Sequence, residues 1–120
     1  MIFPERYYNP RGGDAYPKIR TFAEVASPDT VELVAAPTGT FRIAVFSVEI
    51  RSDVDATVVF ESGATAISAT EYIAASGGSN SGNPDNQMAL FKTTAGAALN
   101  VTTAGTGNVS VTITYAIIPG

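Results

Sequence analysis

The run "NVSVTITYAII" (108–118) alternates strictly, with Val109, Val111, Ile113, Tyr115 and Ile117 on one side and Ser110, Thr112 and Thr114 on the other. Successive side chains of a strand point to opposite faces, so a period of two marks an extended strand with one face against a core. An apolar sheet face needs a second layer to receive it. From Thr30 onward the same texture recurs in short runs divided by turn residues. "TVELVAA" (30–36) stops at Pro37-Thr38-Gly39, and "TFRIAVFSVEI" (40–50) stops at "SDVD" (52–55). "ATVVFES" (56–62), "TAISATEYIAA" (65–75, long enough for two strands), "QMALFKT" (87–93) and "ALNVTT" (98–103) follow. "SGGSNSGNPDN" (76–86) reads as a loop, and Ala95-Gly96 and Gly105–Asn108 as turns. In 40–50, Phe41, Ile43 and Val45 lie on one alternation and Ala44, Phe46 and Val48 on the other, which predicts a strand covered on both faces. About eight short strands with Gly-rich turns and no helical pattern predict an all-β fold. The expected form is a single antiparallel β-sandwich of jelly-roll type over 30–120, preceded by an extended N-terminal arm over 1–29.

The arm is set apart by its prolines and its charge. Pro4, Pro10, Pro17 and Pro28 each lack an N–H and restrict the residue before them, and Gly12-Gly13-Asp14 reads as a turn or link. Yet Phe3, Tyr7, Tyr8, Tyr16 and Phe22 are five of the eleven aromatics in the chain. A solvated tail is ordinarily poor in aromatics, so this one reads as a segment built to be buried. Residues 1–20 carry Arg6, Arg11, Lys18 and Arg20 against Glu5 and Asp14, while the remaining hundred hold three cations against nine acids. A basic leader on an acidic body argues against nucleic-acid binding by the body and fits a leader lying across an acidic protein surface. Interleaved Tyr and Arg, as in "ERYYNPR" (5–11), also describes single-strand nucleic-acid binders. Four cations over twenty residues make a weak funnel for phosphate. Docking on a neighbouring subunit or another protein is the expectation, and folding back on the body is its rival.

The chemistry available is narrow. Among 120 residues there is no Cys, no His and no Trp. That removes disulfides, thiolate nucleophiles, the commonest general base and the commonest transition-metal ligand. "GGSNSG" (77–82) lacks the Lys-Ser/Thr end of a phosphate cradle. "DVD" (53–55), with Glu49 and Glu61 near in sequence, lacks calcium-loop spacing and reads as an Asp-enriched turn. The eleven acids are scattered, without the close pair that glycoside hydrolysis uses. Ser62-Gly63 and Ser76-Gly77 have no His to activate a serine. Asn100-Val-Thr and Asn108-Val-Ser match the glycosylation sequon and read as coincidence inside Thr/Ser-rich strands. The expectation is no enzyme, no cofactor and no metal.

No apolar run approaches the roughly 18–20 residues needed to span a bilayer, so no membrane partner is expected. The start "MIFPERYYNPRGG" has charges and prolines where a secretory signal has an apolar core, so synthesis in a cytoplasm is expected. The last 28 residues, "TTAGAALNVTTAGTGNVSVTITYAIIPG" (93–120), contain no charged side chain. Thr and Ser suit water, yet they carry no charge that would be costly to desolvate. Ser110, Thr112 and Thr114 are therefore the candidate oligomer interface.

These strands also carry a resemblance. "FRIAVFSVEIRSDVDATVVFESGATAIS" (41–68) followed by "ALFKTTAGAALNVTTAGTGNVSVTITYAII" (89–118) resembles small β-sandwich structural proteins of tailed bacteriophages. Their texture is an R-I-x-V-x-S strand, a T-V-x-F-x-S-G strand, F-x-T-x-x-G-x-A-L-x-V, and a final G-x-V-x-V-x-I-x-Y. Here these fall on Arg42, Ile43, Val45 and Ser47; Thr57, Val58, Phe60, Ser62 and Gly63; Phe91, Thr93, Gly96, Ala98, Leu99 and Val101; and Gly107, Val109, Val111, Ile113 and Tyr115. The resemblance implies a non-enzymatic virion protein of the capsid decoration (cement) kind, a homotrimer on the outer surface of a phage head that reinforces capsomer contacts. Its partner would be the major capsid protein. Phe3, Tyr7, Tyr8, Tyr16 and Phe22 are then the expected anchors of the arm, with Arg6, Arg11, Lys18 and Arg20 pairing with capsid acids. The alternative is a head-fibre or tail module that binds a host receptor or glycan through Ser76–Asn86.

Overall fold

A computed structural model of the chain describes residues 7–9, 13–83, 85 and 88–120, with side chains described from Tyr16 onward. Among these residues there are twelve strands and no helix. They are β1 (Tyr7–Asn9), β2 (Gly13–Ala15), β3 (Ile19–Ala26), β4 (Asp29–Val34), β5 (Phe41–Ser52) and β6 (Ala56–Ser62), then β7 (Thr65–Ala66), β8 (Glu71–Ile73), β9 (Gly78–Gly82), β10 (Phe91–Lys92), β11 (Leu99–Ala104) and β12 (Asn108–Pro119). β1 and β2 pair with each other as a separate ribbon.

The other ten strands form two antiparallel sheets. In sheet 1, β3 lies beside β12 and β12 beside β5, and the far edge of β5 is shared end to end by β9 and β10. In sheet 2, β4 lies beside β11 and β11 beside β6, and the far edge of β6 is shared by β7 and β8. The connections β3 to β4, β5 to β6 and β11 to β12 each pass from one sheet to the other.

The two inner faces meet in one core. Val25, Ile43, Val45, Val48, Ile50, Val109, Val111 and Ile113 enter from sheet 1, and Val34, Val58, Phe60, Ile73, Leu99 and Val101 from sheet 2. Phe60 and Phe91 join the layers with ring centroids 5.2 Å apart. Each fully buried Val, Leu or Ile contributes about 1.5–3 kcal/mol relative to exposure, so this cluster holds the sandwich together. The alternation in 108–118 is realised: Val109, Val111 and Ile113 are buried in it.

A bulge in β5 explains why 40–50 is apolar on both alternations. Thr114 is opposite Ser47 and Tyr115 is opposite Val45, so Phe46 is the extra residue. An extra residue moves everything beyond it to the opposite face. Ile43 and Val45 before it, and Val48 and Ile50 after it, therefore all face the main core. Ala44 and Phe46 point outward and form a second cluster with Ala116, covered by Tyr16, Ala89 and Ile118. Only this half of β5 is covered on both faces; Glu49 and Arg51 beyond the bulge line an open face. Gly82 sits against the bulge at φ 73°, where a Cβ would lie 2.2 Å from the Phe46 carbonyl oxygen.

Three segments differ from the sequence reading. Residues 76–86, read as a loop, contain β9, whose Gly78–Gly82 backbone completes the edge of β5. Of the strand expected over 87–93, Phe91–Lys92 is strand and Gln87 lies outside the described residues; beside that strand the Thr93 side-chain Oγ1 accepts the Ile43 N–H while the Thr93 N–H still bonds the Ile43 carbonyl. Residues 1–29, read wholly as arm, end in a sandwich strand: Ile19–Ala26 is β3, paired with β12 along its length, and Asp29 opens β4. The sandwich therefore begins at Ile19, and Gly13-Asp14, read as part of a turn or link, lies in β2.

Candidate interaction surface

The outer face of sheet 1 is fixed by strand register. Three rows cross it from β3 through β12 and β5 to β9: Glu24, Ser110, Arg51 and Gly78; Phe22, Thr112, Glu49 and Asn80; Arg20, Thr114, Ser47 and Gly82. Their inward neighbours Ala23, Val25, Val109, Val111, Val48 and Ile50 belong to the core, which holds these side chains outward. Phe22, in the middle row at the β3 edge, is 79% exposed. Arg51 reaches across β9, donating to the Ile50 carbonyl at 3.0 Å and to Asn80 Oδ1 at 3.5 Å. Gly78 leaves room for it, since a Cβ there would lie 2.4 Å from the Arg51 guanidinium. A depression of about 230 Å³ is lined by Arg20, Ser47, Glu49, Asn80, Thr112 and Thr114 among others.

The predicted interface triplet lies on this face but is not uniform. Ser110 is exposed, Thr112 is half-buried, and Thr114 is only 7% exposed at the floor of the depression. Arg20 and Phe22, predicted as arm residues, share this face with the triplet. Tyr16 and Lys18, just before β3, lie over the Phe46 end of the same sheet. Tyr16 packs on the Ala44, Phe46 and Ala116 cluster, and Lys18 Nζ sits 4.3 Å from the centroid of the Phe46 ring. Burial lowers the Lys18 pKa from its ordinary value, and attraction to Asp85 opposes that. Phe3, Arg6 and Arg11 lie outside the described residues; Tyr7 and Tyr8 are on β1, with side chains outside the description.

Sequence reading missed Glu24, Glu49, Arg51 and Asn80 as members of this face. The alternation of Arg20, Phe22 and Glu24 against Thr21, Ala23 and Val25 carried the signal for β3, but Pro17 and Pro28 dominated the reading of that segment. Asn80 carried none, because its neighbours are Gly and Ser.

The opposite outer face, on sheet 2, is built from Thr30, Glu32, Asn100, Thr102, Thr57, Val59, Glu61 and Tyr72. Thr30 and Thr102 hydroxyls bond at 2.7 Å, and Thr102 donates to Glu61 Oε1 at 2.9 Å. Tyr72 is 81% exposed and stands beside a cleft of about 560 Å³ lined also by Asp55, Thr57, Ala104 and Gly105. Asn100 Nδ2 donates to the Gly63 carbonyl at 2.8 Å, which ties this sequon asparagine to a turn.

Among the described residues no group of three or more acids gathers as a metal site. Asp53 Oδ1 accepts the Asn108 N–H at 2.8 Å and Asp55 Oδ1 the Ala75 N–H at 2.9 Å, so both acids brace turns. No helix of the described residues is long and apolar enough to cross a membrane. The class this architecture defines is a two-sheet antiparallel β-sandwich with open polar outer faces. In comparisons with known families and curated proteins, the chain matches no family model and no individual protein.

Proposed function

We propose that this chain is a non-enzymatic structural protein of a phage virion, a decoration protein that binds the outer surface of the head as a homotrimer and reinforces contacts between capsomers. The fold reading that goes with it is a jelly roll with an N-terminal arm. The strand orders β3-β12-β5-β9/β10 and β4-β11-β6-β7/β8, with the chain passing repeatedly between sheets, support it. One observation carries the functional reading. Tyr16 and Lys18, just before β3, sit on the same sheet face that exposes Phe22, so with Arg20 and Arg51 they form one continuous surface of aromatic and cationic side chains. Aromatics and Arg dominate binding energy at protein interfaces. On a capsid lattice, many such copies gain by avidity.

Removing residues 1–25 would delete β3, so the informative truncation is 1–15. Incubated with phage heads that lack the protein and pelleted, the full chain should co-sediment and the 1–15 truncation should stay in the supernatant. Equal pelleting of both would overturn the arm's role, and failure of the full chain to pellet would overturn the capsid reading.

The second reading, a head-fibre or tail module for a host glycan, draws on the exposed Tyr72 beside the open cleft. An aromatic face next to the Asp55 carboxylate and the Thr57 hydroxyl offers a sugar both stacking and hydrogen bonds. A glycan array that lights up with the full chain and goes dark with Tyr72→Ala would favour it.

A further inference from the structure

The two sheets do not end alike on their two sides. On one side both stop in short strands, β7, β8, β9 and β10 of two to five residues, which blunt the edge. On the other side sheet 2 ends in β4, which carries Asp29 and Glu32 and is broken by a bulge at Leu33. Sheet 1 ends there in β3, eight residues with no proline and no break in the register with β12. Among the described residues β3 pairs on that one flank only. A long, regular, unprotected edge is a template for another strand.

Which backbone groups face the open flank follows from one hydrogen bond. The Ser27 N–H donates to the Gly107 carbonyl at 2.8 Å, continuing the β3–β12 register, so these two residues are a hydrogen-bonded pair of the ladder. Hydrogen-bonded and non-hydrogen-bonded pairs alternate along antiparallel strands. Val25, Ala23, Thr21 and Ile19 therefore turn their N–H and C=O groups to β12, and Glu24, Phe22 and Arg20 turn theirs to the open flank. The same three residues carry exposed side chains on the outer face, Phe22 the most exposed of the aromatics there. Among the described residues neither Arg20 nor Glu24 has an ion-pair partner in its own subunit, whereas Arg51 has Glu49 at 4.0 Å.

Arg20, Phe22 and Glu24 read as their own complement. A second, antiparallel β3 centred on Phe22 sets outward backbone groups opposite outward backbone groups. In that register Phe22 faces Phe22, Arg20 faces Glu24 of the second copy, and Glu24 faces its Arg20. Opposite charges and paired aromatics across a ladder are favourable, whereas centring the contact on Arg20 or on Glu24 sets like charges against each other. On the inner side the same register brings Ile19, 45% exposed, opposite Val25 of the second copy. A patch that complements itself makes a two-fold contact. We infer that the partner of this edge is a second copy of this chain, joined β3 to antiparallel β3 about Phe22, so that sheet 1 continues across two subunits. The inference goes beyond the proposed function and does not rest on it. The contact closes a dimer by itself, and between subunits of adjacent trimers it would join one trimer to the next.

Charge exchange within one chain tests this with purified full-length protein. In Arg20→Glu both cross-copy pairs become Glu on Glu, and in Glu24→Arg both become Arg on Arg. The double variant, Arg20→Glu with Glu24→Arg, restores opposite charges. Both positions are exposed, and thermal melts check that the fold is kept. By analytical ultracentrifugation the parent should associate reversibly, and each single reversal should raise the dissociation constant on the order of tenfold. The double variant should return to the parent value. Hydrogen exchange read by NMR locates the contact and needs no variant: the Arg20, Phe22 and Glu24 amides, which point away from β12, should be protected in the associated parent. A parent that never associates would overturn the inference, as would free exchange of these amides in an associated parent or a double variant as weak as the single ones. Protection in a species that sediments as a monomer would overturn it too, giving the edge to the chain's own arm. A trimer with these amides free would remove this contact and leave the proposed function standing. A dimer with protected amides that binds no heads would do the reverse.

Discussion

Thr93 shows how one side chain can end a strand without leaving the core unsatisfied. It is 1% exposed; its Oγ1 accepts the Ile43 N–H and its own N–H reaches the Ile43 carbonyl, both at 2.9 Å. Replacing Thr93 with Val keeps the shape and strands a buried N–H, which costs about 1–3 kcal/mol. Urea denaturation of Thr93→Val should show a loss of that size, and unchanged stability would contradict the role. Lys18 makes a pH-dependent prediction. Its folded-state pKa lies below 10.5, so between the lowered value and 10.5 the unfolded chain binds more protons and stability rises with pH. Against a Lys18→Met control, the parent should gain relative stability across that alkaline window. A flat difference would contradict the partial desolvation of this ammonium group beside Phe46, on a residue that is otherwise exposed.

At the scale of elements, β3 and β5 decide how the molecule is built. β3 was hidden in the sequence because its prolines flank it rather than interrupt it. Thr21, Ala23 and Val25 face inward while Arg20, Phe22 and Glu24 face out. Truncation separates arm from sandwich. Loss of residues 1–15 should leave a cooperatively folding protein, whereas loss of 1–25 removes β3 and uncovers the Val109–Val111 side of β12, so cooperative unfolding should vanish. Circular dichroism melts read both outcomes, and a folded 1–25 truncation would contradict the placement of β3. In β5 the apolar residues were legible, but the face each occupies was not. A period-two reading has no means of finding an extra residue, and the bulge at Phe46 becomes visible only when β12 supplies the register. The same holds for β9: Gly, Ser and Asn give no apolar signal, and their pairing with β5 depends on backbone alone.

For the whole molecule, the legible part was what burial dictates: an all-β chain, two layers, and a final strand with its Val/Ile side inward. The outer surfaces were less legible, because which charged residues share a face is a property of topology. Arg51 and Glu61 are ten residues apart in sequence yet stand on opposite faces of the sandwich, and no linear pattern separates them. The absence of charge over 93–120 also resolves by strand. Its two main segments, β11 and β12, are central in their sheets, flanked on both sides by other strands, so the charged residues of each outer face come from the neighbours. The proposed role, reinforcement of a phage head from outside, is tested by the copy number of this protein in purified phage heads, measured by quantitative mass spectrometry against the major capsid protein. Copies should be comparable in number with the capsid subunits and lost when residues 1–15 are removed; absence from heads, or a few copies confined to a tail or fibre fraction, would contradict the proposal.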